Sequence, residues 1–391
     1  MTIYDYMDEY GIYSFEEKPL NEVDAMIFSF ISYANIREIM KDKKSLTINQ
    51  VGRMHLGMYP DKDKNIIAVK EGNKILRYMK DCKRYKDIKL KNYEYIGNKD
   101  IQFGVFALEY QKDHVFISYE GTDEVLSGWK EDLFLGSEFP TETHKLAIKY
   151  LNNHYTLSTK KIILGGHSKG GNLALVAGMY ANIFVKNKIE KIYSGDGPGL
   201  LEKEFNSKEY QRIKNKFIHI IPEYSIIGVL LNHENDVIVK ATSKSILAHN
   251  IACWEVEEDH FIKGNLSTLS KEIDKGIKKW IEETKTEKME DLGYAIDQII
   301  KKANVNSLLE LKENYHTIIK IIKESKNIKE STKKNIYELI KIVMKSIEKS
   351  TKEDFKHFII NFITERKKYG IKSRTNKLHS EEINEPEEIE I

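Results

Sequence analysis

The chain has 391 residues, 41% of them hydrophobic and 31% charged, enough to bury a sizeable core in two or three domains. Its 62 basic and 60 acidic side chains leave a formal charge of +2, which gives no electrostatic case for nucleic acid or an anionic membrane as the main partner. Two cysteines, Cys82 and Cys253, are too few for a disulfide framework or a metal cluster and fit packed thiols in a reducing compartment.

The amino terminus, MTIYDYMDEYGIYSFEEKPL, is acidic and lacks the basic flank and apolar run of a secretory signal. Apolar stretches such as AMIFSFISYA fall well short of the roughly 18–20 residues a spanning helix needs. A cytoplasmic chain with no transmembrane segment is expected. Residues 1–100 read as a mainly helical segment belonging to the same domain as residues 101–263, with PLNEVDAMIFSFISYANI as an amphipathic helix capped by Asn21. In residues 101–263, DIQFGVFALEY and HVFISYEGT read as strands across a QKD turn. HKLAIKYLNNHY reads as a helix and KKIILGG as a short buried strand. A second helix comes next, then KIEKIYSGDG and KFIHIIPE as further strands. Strands separated by helices predict an α/β fold: a mostly parallel sheet with helices on both faces.

Beyond about residue 265 the glycines nearly vanish and Lys, Glu, Asn and Ile dominate. Leu292, Ala295, Ile296, Ile299 and Ile300 share one helical face, as do Leu308, Leu311, Tyr315, Ile318, Ile319 and Ile322, and again Ile336, Ile340, Val343 and Ile347. Residues 264–370 are therefore expected to form an all-helical extension, broken near ESKNIKEST, and the acidic residues 371–391 a disordered tail.

Gly166-His167-Ser168-Lys169-Gly170 lies between the strand KKIILGG and the helix KGGNLALVAGMYA. A serine on a sharp strand-to-helix turn stands proud of the sheet, and side chains at the two flanking glycine positions would collide with strand and helix. Ser168 is the candidate nucleophile. The backbone N–H of Lys169 is one expected oxyanion donor, and Thr122, in the turn Glu120-Gly121-Thr122-Asp123 after an earlier strand, the other. Read alone, that turn fits better as an ordinary one with an aspartate cap; beside the serine elbow it reads as the oxyanion loop. The base should come from a later loop. His249, in SILAHNIACWEV, comes after an apolar run and precedes Trp254; His233 and His260 are the alternatives, while His167 and His219 read as structural. For the acid, Asp196 in YSGDGPGL ends the strand after the elbow helix, where active-site groups gather in open parallel sheets. Glu223 and Asp236 are the alternatives, and Asp196 also fits a turn-forming residue. No metal or organic cofactor is required.

GGHSKGGNLA, SYEGTDE with GWKEDL, and AHNIACW together resemble the lipase-like α/β-hydrolases related to the class-three lipases, most closely an uncharacterised bacterial lipase-like family. LNEVDAMIFSFISYANI, SGDGPGL, IPEYSIIGVLL and HENDVIVKA extend the resemblance over residues 18–263. It implies an α/β-hydrolase fold with Ser168 as nucleophile, His249 as base and Thr122 in the oxyanion loop, supported by a helix carrying Trp129 and Asp132. The sequence departs from class-three lipases at PEYSIIG, where Ser225 stands near the place of their acid. The expected function is a serine hydrolase acting on a carboxylic, lipid-derived ester or a thioester. A catalytically silent scaffold binding a protein partner through the helical extension is the alternative.

Overall fold

The computed structural model describes residues 1–59, 67–98, 101–122, 139–244, 246–283, 295, 298–299, 302–303, 315–326 and 328–349. Eight strands form one sheet in sequential order: β1 (Ser45–Thr47), β2 (Lys89–Gly97), β3 (Gln102–Glu109), β4 (His114–Tyr119), β5 (Lys161–His167), β6 (Ile189–Gly195), β7 (Phe217–Pro222) and β8 (Val237–Val239). The pairs from β1 to β4 are antiparallel and those from β4 to β8 parallel. A mostly parallel sheet with helices on its faces gives the chain an α/β-hydrolase fold.

Right-handed crossovers between parallel strands laid down in one direction put their helices on one face. The side-chain alternation of the strands agrees with this. Val105, Ala107, Val115, Ile117, Ile162 and Leu164 pack with the helices Glu142–Tyr155 and Lys169–Tyr180. Phe106, Leu108, Phe116 and Ile163 point to the opposite layer, where the amino-terminal helices cover them. Each large apolar side chain buried this way contributes about 1.5–3 kcal/mol.

The cover on that second face begins with the helix Glu22–Phe30, whose Asn21 cap accepts from the N–H groups of Val23 and Asp24. The expectation of an amphipathic helix needs correction, because every residue from Val23 to Phe30 is buried. Its polar residues find partners in the interior: Asp24 pairs with the guanidinium of Arg84 and accepts from the Tyr85 hydroxyl, and Ser29 donates to the carbonyl of Ala25. The mainly helical reading of residues 1–100 likewise missed β1 and β2. In β2 only Leu90 is buried, so no apolar alternation marks the strand.

After a small hairpin of β9 (Val256–Glu257) and β10 (His260–Phe261), helices run over Thr268–Glu283, Tyr315–Glu324 and Glu330–Lys349. Ile273, Ile277, Ile318, Ile322, Ile336 and Ile340 are buried, and the first and last of these helices pack together. The Ser267 N–H and Ser270 hydroxyl donate to the Glu223 carbonyl beyond β7 and tie the first of them to the sheet. The 371–391 tail, Trp129 and Asp132 lie outside the described residues, and no helix among those described is long and apolar enough to cross a membrane.

Candidate active site

The turn after β5 is built by close backbone contact. Ser168 sits between the strand and the helix Lys169–Tyr180 with φ 56° and ψ −133°, a left-handed conformation that costs a non-glycine residue about 1–3 kcal/mol. Its N–H donates to the Gly195 carbonyl at 2.8 Å and its own carbonyl accepts from Gly171 at 2.9 Å. A Cβ at position 166 would lie 2.1 Å from the Gly170 carbonyl carbon, and one at position 170 would lie 2.2 Å from the Tyr119 oxygen. Neither glycine has room for a side chain, so the turn fixes Ser168 where β4, β5 and β6 end. Lys169 opens the helix, so its N–H lies at the helix's amino terminus. Its ammonium is buried and donates to the Gln102 carbonyl at 2.9 Å.

Gly121 and Thr122 come directly after β4 and close on the same turn. A Cβ on Gly121 would lie 2.6 Å from the His167 carbonyl oxygen and 2.0 Å from the Tyr33 hydroxyl. The Thr122 hydroxyl is buried and has no hydrogen-bond partner among the described residues. Asp123 lies outside them.

His249 ends the short 3-10 turn Ile246–His249. The indole N–H of buried Trp254 donates to the Ala248 carbonyl at 2.7 Å and holds that turn. His249 Nδ1 lies 2.6 Å from Asp196 Oδ2. Asp196 stands just beyond β6 with φ 45° and is fully buried. Its other oxygen, Oδ1, accepts from the Ser225 hydroxyl and, at 3.0 Å, from the Gly228 N–H. The imidazole thus donates through Nδ1 and keeps its lone pair on Nε2, which makes no hydrogen bond among the described residues. Ser168 Oγ has no direct hydrogen bond to it there. The link runs through neighbours: Ser168 bonds to Gly195, next to Asp196, and the rings of His167 and His249 lie 4.3 Å apart between centroids.

His167 is itself locked. Nε2 donates to the His249 carbonyl at 2.7 Å, which leaves Nδ1 to accept from the Tyr33 hydroxyl at 3.0 Å. Burial, reinforced by the neighbouring His249, pushes its pKa well below the usual histidine value, so the ring stays neutral and adds no charge beside His249. On the other side of the elbow, His144 donates to Asn172 at 2.8 Å, and Asn172 donates to the carbonyls of Pro198 and Gly199. These bonds fix the Asp196-Gly197-Pro198-Gly199 loop against the elbow helix.

The alternative residues sit elsewhere. Glu223 accepts the Asn265 N–H at 3.2 Å, at the approach to the helix Thr268–Glu283. Asp236 bridges His219 and His233. Burial pushes the Asp236 pKa up, but the two neighbouring histidines outweigh it and hold the carboxyl well below the usual range. His260 is half-exposed among Glu257 and Asp259. Ser225, Gly228 and Tyr33 do not stand out as site residues in the sequence. Only Ser225 leaves a signal there, as a hydroxyl near the place where class-three lipases carry an acid.

The solved structures similar to this chain include the crystal structure of M37 lipase, at 14% identity and a TM-score of 0.32, covering 53% of this chain and 69% of that one. No curated protein matches the chain. A family model matches residues 79–300, beginning later and ending later than the stretch of residues 18–263 on which the sequence resemblance rests. With that match over more than half its length, the chain belongs to the Mbeg1-like family.

Proposed function

We propose that the chain is a serine hydrolase that cleaves a carboxylic ester through an acyl-enzyme, with Ser168 as nucleophile, His249 as general base and Asp196 as the acid that orients it. The observation that carries this reading is the 2.6 Å bond from His249 Nδ1 to Asp196, made beside a serine held at positive φ. Two non-glycine residues, Ser168 and Asp196, adopt left-handed backbone at adjoining strand ends. Such strain persists where a site needs it.

In the proposed reaction, Asp196 fixes the tautomer with the proton on Nδ1. Nε2 then takes the Ser168 proton as Oγ attacks the acyl carbon. The contact tightens as the substrate docks, as catalytic hydrogen bonds often do. The N–H groups of Lys169 and Thr122 are the oxyanion donors, and the helix amino terminus adds a favourable dipole. The imidazolium is stabilised by the Asp196 carboxylate and is spared repulsion by the neutral His167 ring. It passes its proton to the leaving alkoxide, and water enters by the reverse path to release the acid. Turnover of esters and thioesters of graded acyl length measures which leaving group and chain length the site accepts.

Ser168→Ala is expected to lower kcat on p-nitrophenyl esters by on the order of 10⁶ and to abolish fluorophosphonate labelling while the circular dichroism stays unchanged. Undiminished labelling of the folded variant would remove Ser168 from this role.

A further inference from the structure

Among the described residues, one cluster outside the proposed catalytic centre brings three ligand-type side chains together: His219 on β7, and His233 and Asp236 on the segment leading into β8. Their ligating atoms all lie within 4.8 Å of one another. His219 Nδ1 is 2.8 Å from Asp236 Oδ1 and His233 Nδ1 is 2.7 Å from Asp236 Oδ2, with the side chains 1%, 9% and 14% exposed in the order His219, His233, Asp236.

The outer nitrogens define the chemistry. His219 Nε2 lies 2.8 Å from the Gly197 carbonyl, and His233 Nε2 lies 3.3 Å from the Val229 carbonyl. A carbonyl only accepts, so each Nε2 carries the proton. In a neutral ring each Nδ1 then presents a lone pair, and both lone pairs face a carboxylate. Electron-rich atoms converging on one point with no proton between them are mutually repulsive. A single cation placed among the three groups would satisfy both Nδ1 lone pairs and the carboxylate at once. Imidazoles whose second N–H is anchored to backbone carbonyls are the usual arrangement around a bound metal, because the outer bond fixes tautomer and ring orientation.

We propose that His219, His233 and Asp236 form a divalent transition-metal site. Two imidazole nitrogens and one carboxylate oxygen select a Zn²⁺-class ion over Mg²⁺ or Ca²⁺, which prefer all-oxygen shells. The ion takes its remaining ligand from water. Its role is to brace. Gly197 is the residue after Asp196, and Val229 is the residue after Gly228, whose N–H donates to Asp196 at 3.0 Å. The two outer carbonyls therefore belong to the two segments that hold the Asp196 carboxylate, and a metal that locks both rings locks both segments.

The test uses the full chain, stripped with chelator, desalted and titrated with Zn²⁺ alone. About one equivalent should survive desalting, and Tm should rise by about 3 °C at a free Zn²⁺ concentration 100-fold above Kd. His233→Gln and Asp236→Asn should each lose that equivalent, whereas Ser168→Ala should keep it. Co²⁺ added to the wild-type chain should give visible d–d absorption that Zn²⁺ abolishes, a readout that needs no variant to fold. Absence of stoichiometric Zn²⁺ in the wild-type chain, meaning that protons alone fill the cluster, would overturn the proposal. So would undiminished retention in both ligand variants. Metal is counted directly, so the result does not depend on whether the chain hydrolyses esters.

Discussion

Asp196→Asn isolates the charge of the proposed acid from its shape. Asparagine is nearly isosteric and tolerates the left-handed backbone at this position, where φ is 45°. Its carbonyl oxygen can keep the Oδ1 bonds from the Ser225 hydroxyl and the Gly228 N–H, which turns the amide NH₂ toward His249 Nδ1. Nδ1 must then accept, the ring proton moves to Nε2, and the face available to Ser168 becomes an N–H unable to take its proton. Loss of the right tautomer in such a triad lowers kcat by about 10⁴, equivalent to about 5.4 kcal/mol of barrier. The assay is kcat on p-nitrophenyl butyrate for folded variants, with Glu223→Gln alongside. Glu223 bonds to the Asn265 N–H, so that substitution should leave kcat within a few-fold. An Asp196→Asn enzyme within tenfold of the parent, beside an inactive His249→Asn, would refute the assignment of the acid.

The geometry carries three further expectations. Gly170→Ala puts a Cβ 2.2 Å from the Tyr119 oxygen, an overpacking that should cost about 3 kcal/mol in urea unfolding and displace the elbow enough to reduce turnover. Arg84→Ala leaves the carboxylate of Asp24 buried without its cation, which should cost about 3–5 kcal/mol in the same assay; an effect below about 1 kcal/mol would mean that water reaches Asp24. Burial lowers the pKa of His144 from 6.5 to about 4, so between those values the unfolded chain binds a proton that the folded chain refuses. Stability from this residue is complete above about pH 6.5 and falls by up to about 3 kcal/mol as pH drops toward 4, a loss that His144→Gln should flatten.

The local parts of the design are readable from sequence because they are written in consecutive residues. Gly166 and Gly170 bracket Ser168 for steric reasons that any strand-to-helix turn imposes, and the apolar run through Ile162, Ile163 and Leu164 marks β5 on its own. The parts that escape depend on distant partners. Helix Glu22–Phe30 reads as amphipathic because Asp24 and Ser29 are polar, and only the fold reveals that Arg84 and Tyr85 bury Asp24. β2 escapes because its other residues are exposed or half-exposed and mix charged with apolar side chains, leaving Leu90 as the lone buried anchor. The acid cannot be fixed from sequence among Asp196, Glu223 and Asp236, since the first two stand just beyond strands and the third just before one, and only loop packing decides which one faces His249. Asp236 has partners of its own in His219 and His233, a set that sequence spacing alone does not single out.

Ser225 connects these threads. It stands just beyond β7, near the place where the sequence resemblance puts an aspartate, and its hydroxyl donates to Asp196 Oδ1 instead. A second carboxylate there would sit against the first, and two such groups at hydrogen-bond range cannot both remain ionised in a buried site. A hydroxyl donor at this position therefore belongs with an acid at the end of β6. Ser225→Ala removes one bond to a buried charged group, worth about 1.5–3 kcal/mol, while Gly228 still holds the same oxygen. kcat should drop about tenfold with KM nearly unchanged, because the charge stays and only its aim loosens. Ser225→Asp should fall much further, since one proton must be shared and the Asp196 oxygens are pulled away from His249. If Ser225→Asp instead matches or exceeds Ser225→Ala, a carboxylate beyond β7 can orient the histidine, and the pairing of Ser225 with Asp196 has no catalytic consequence.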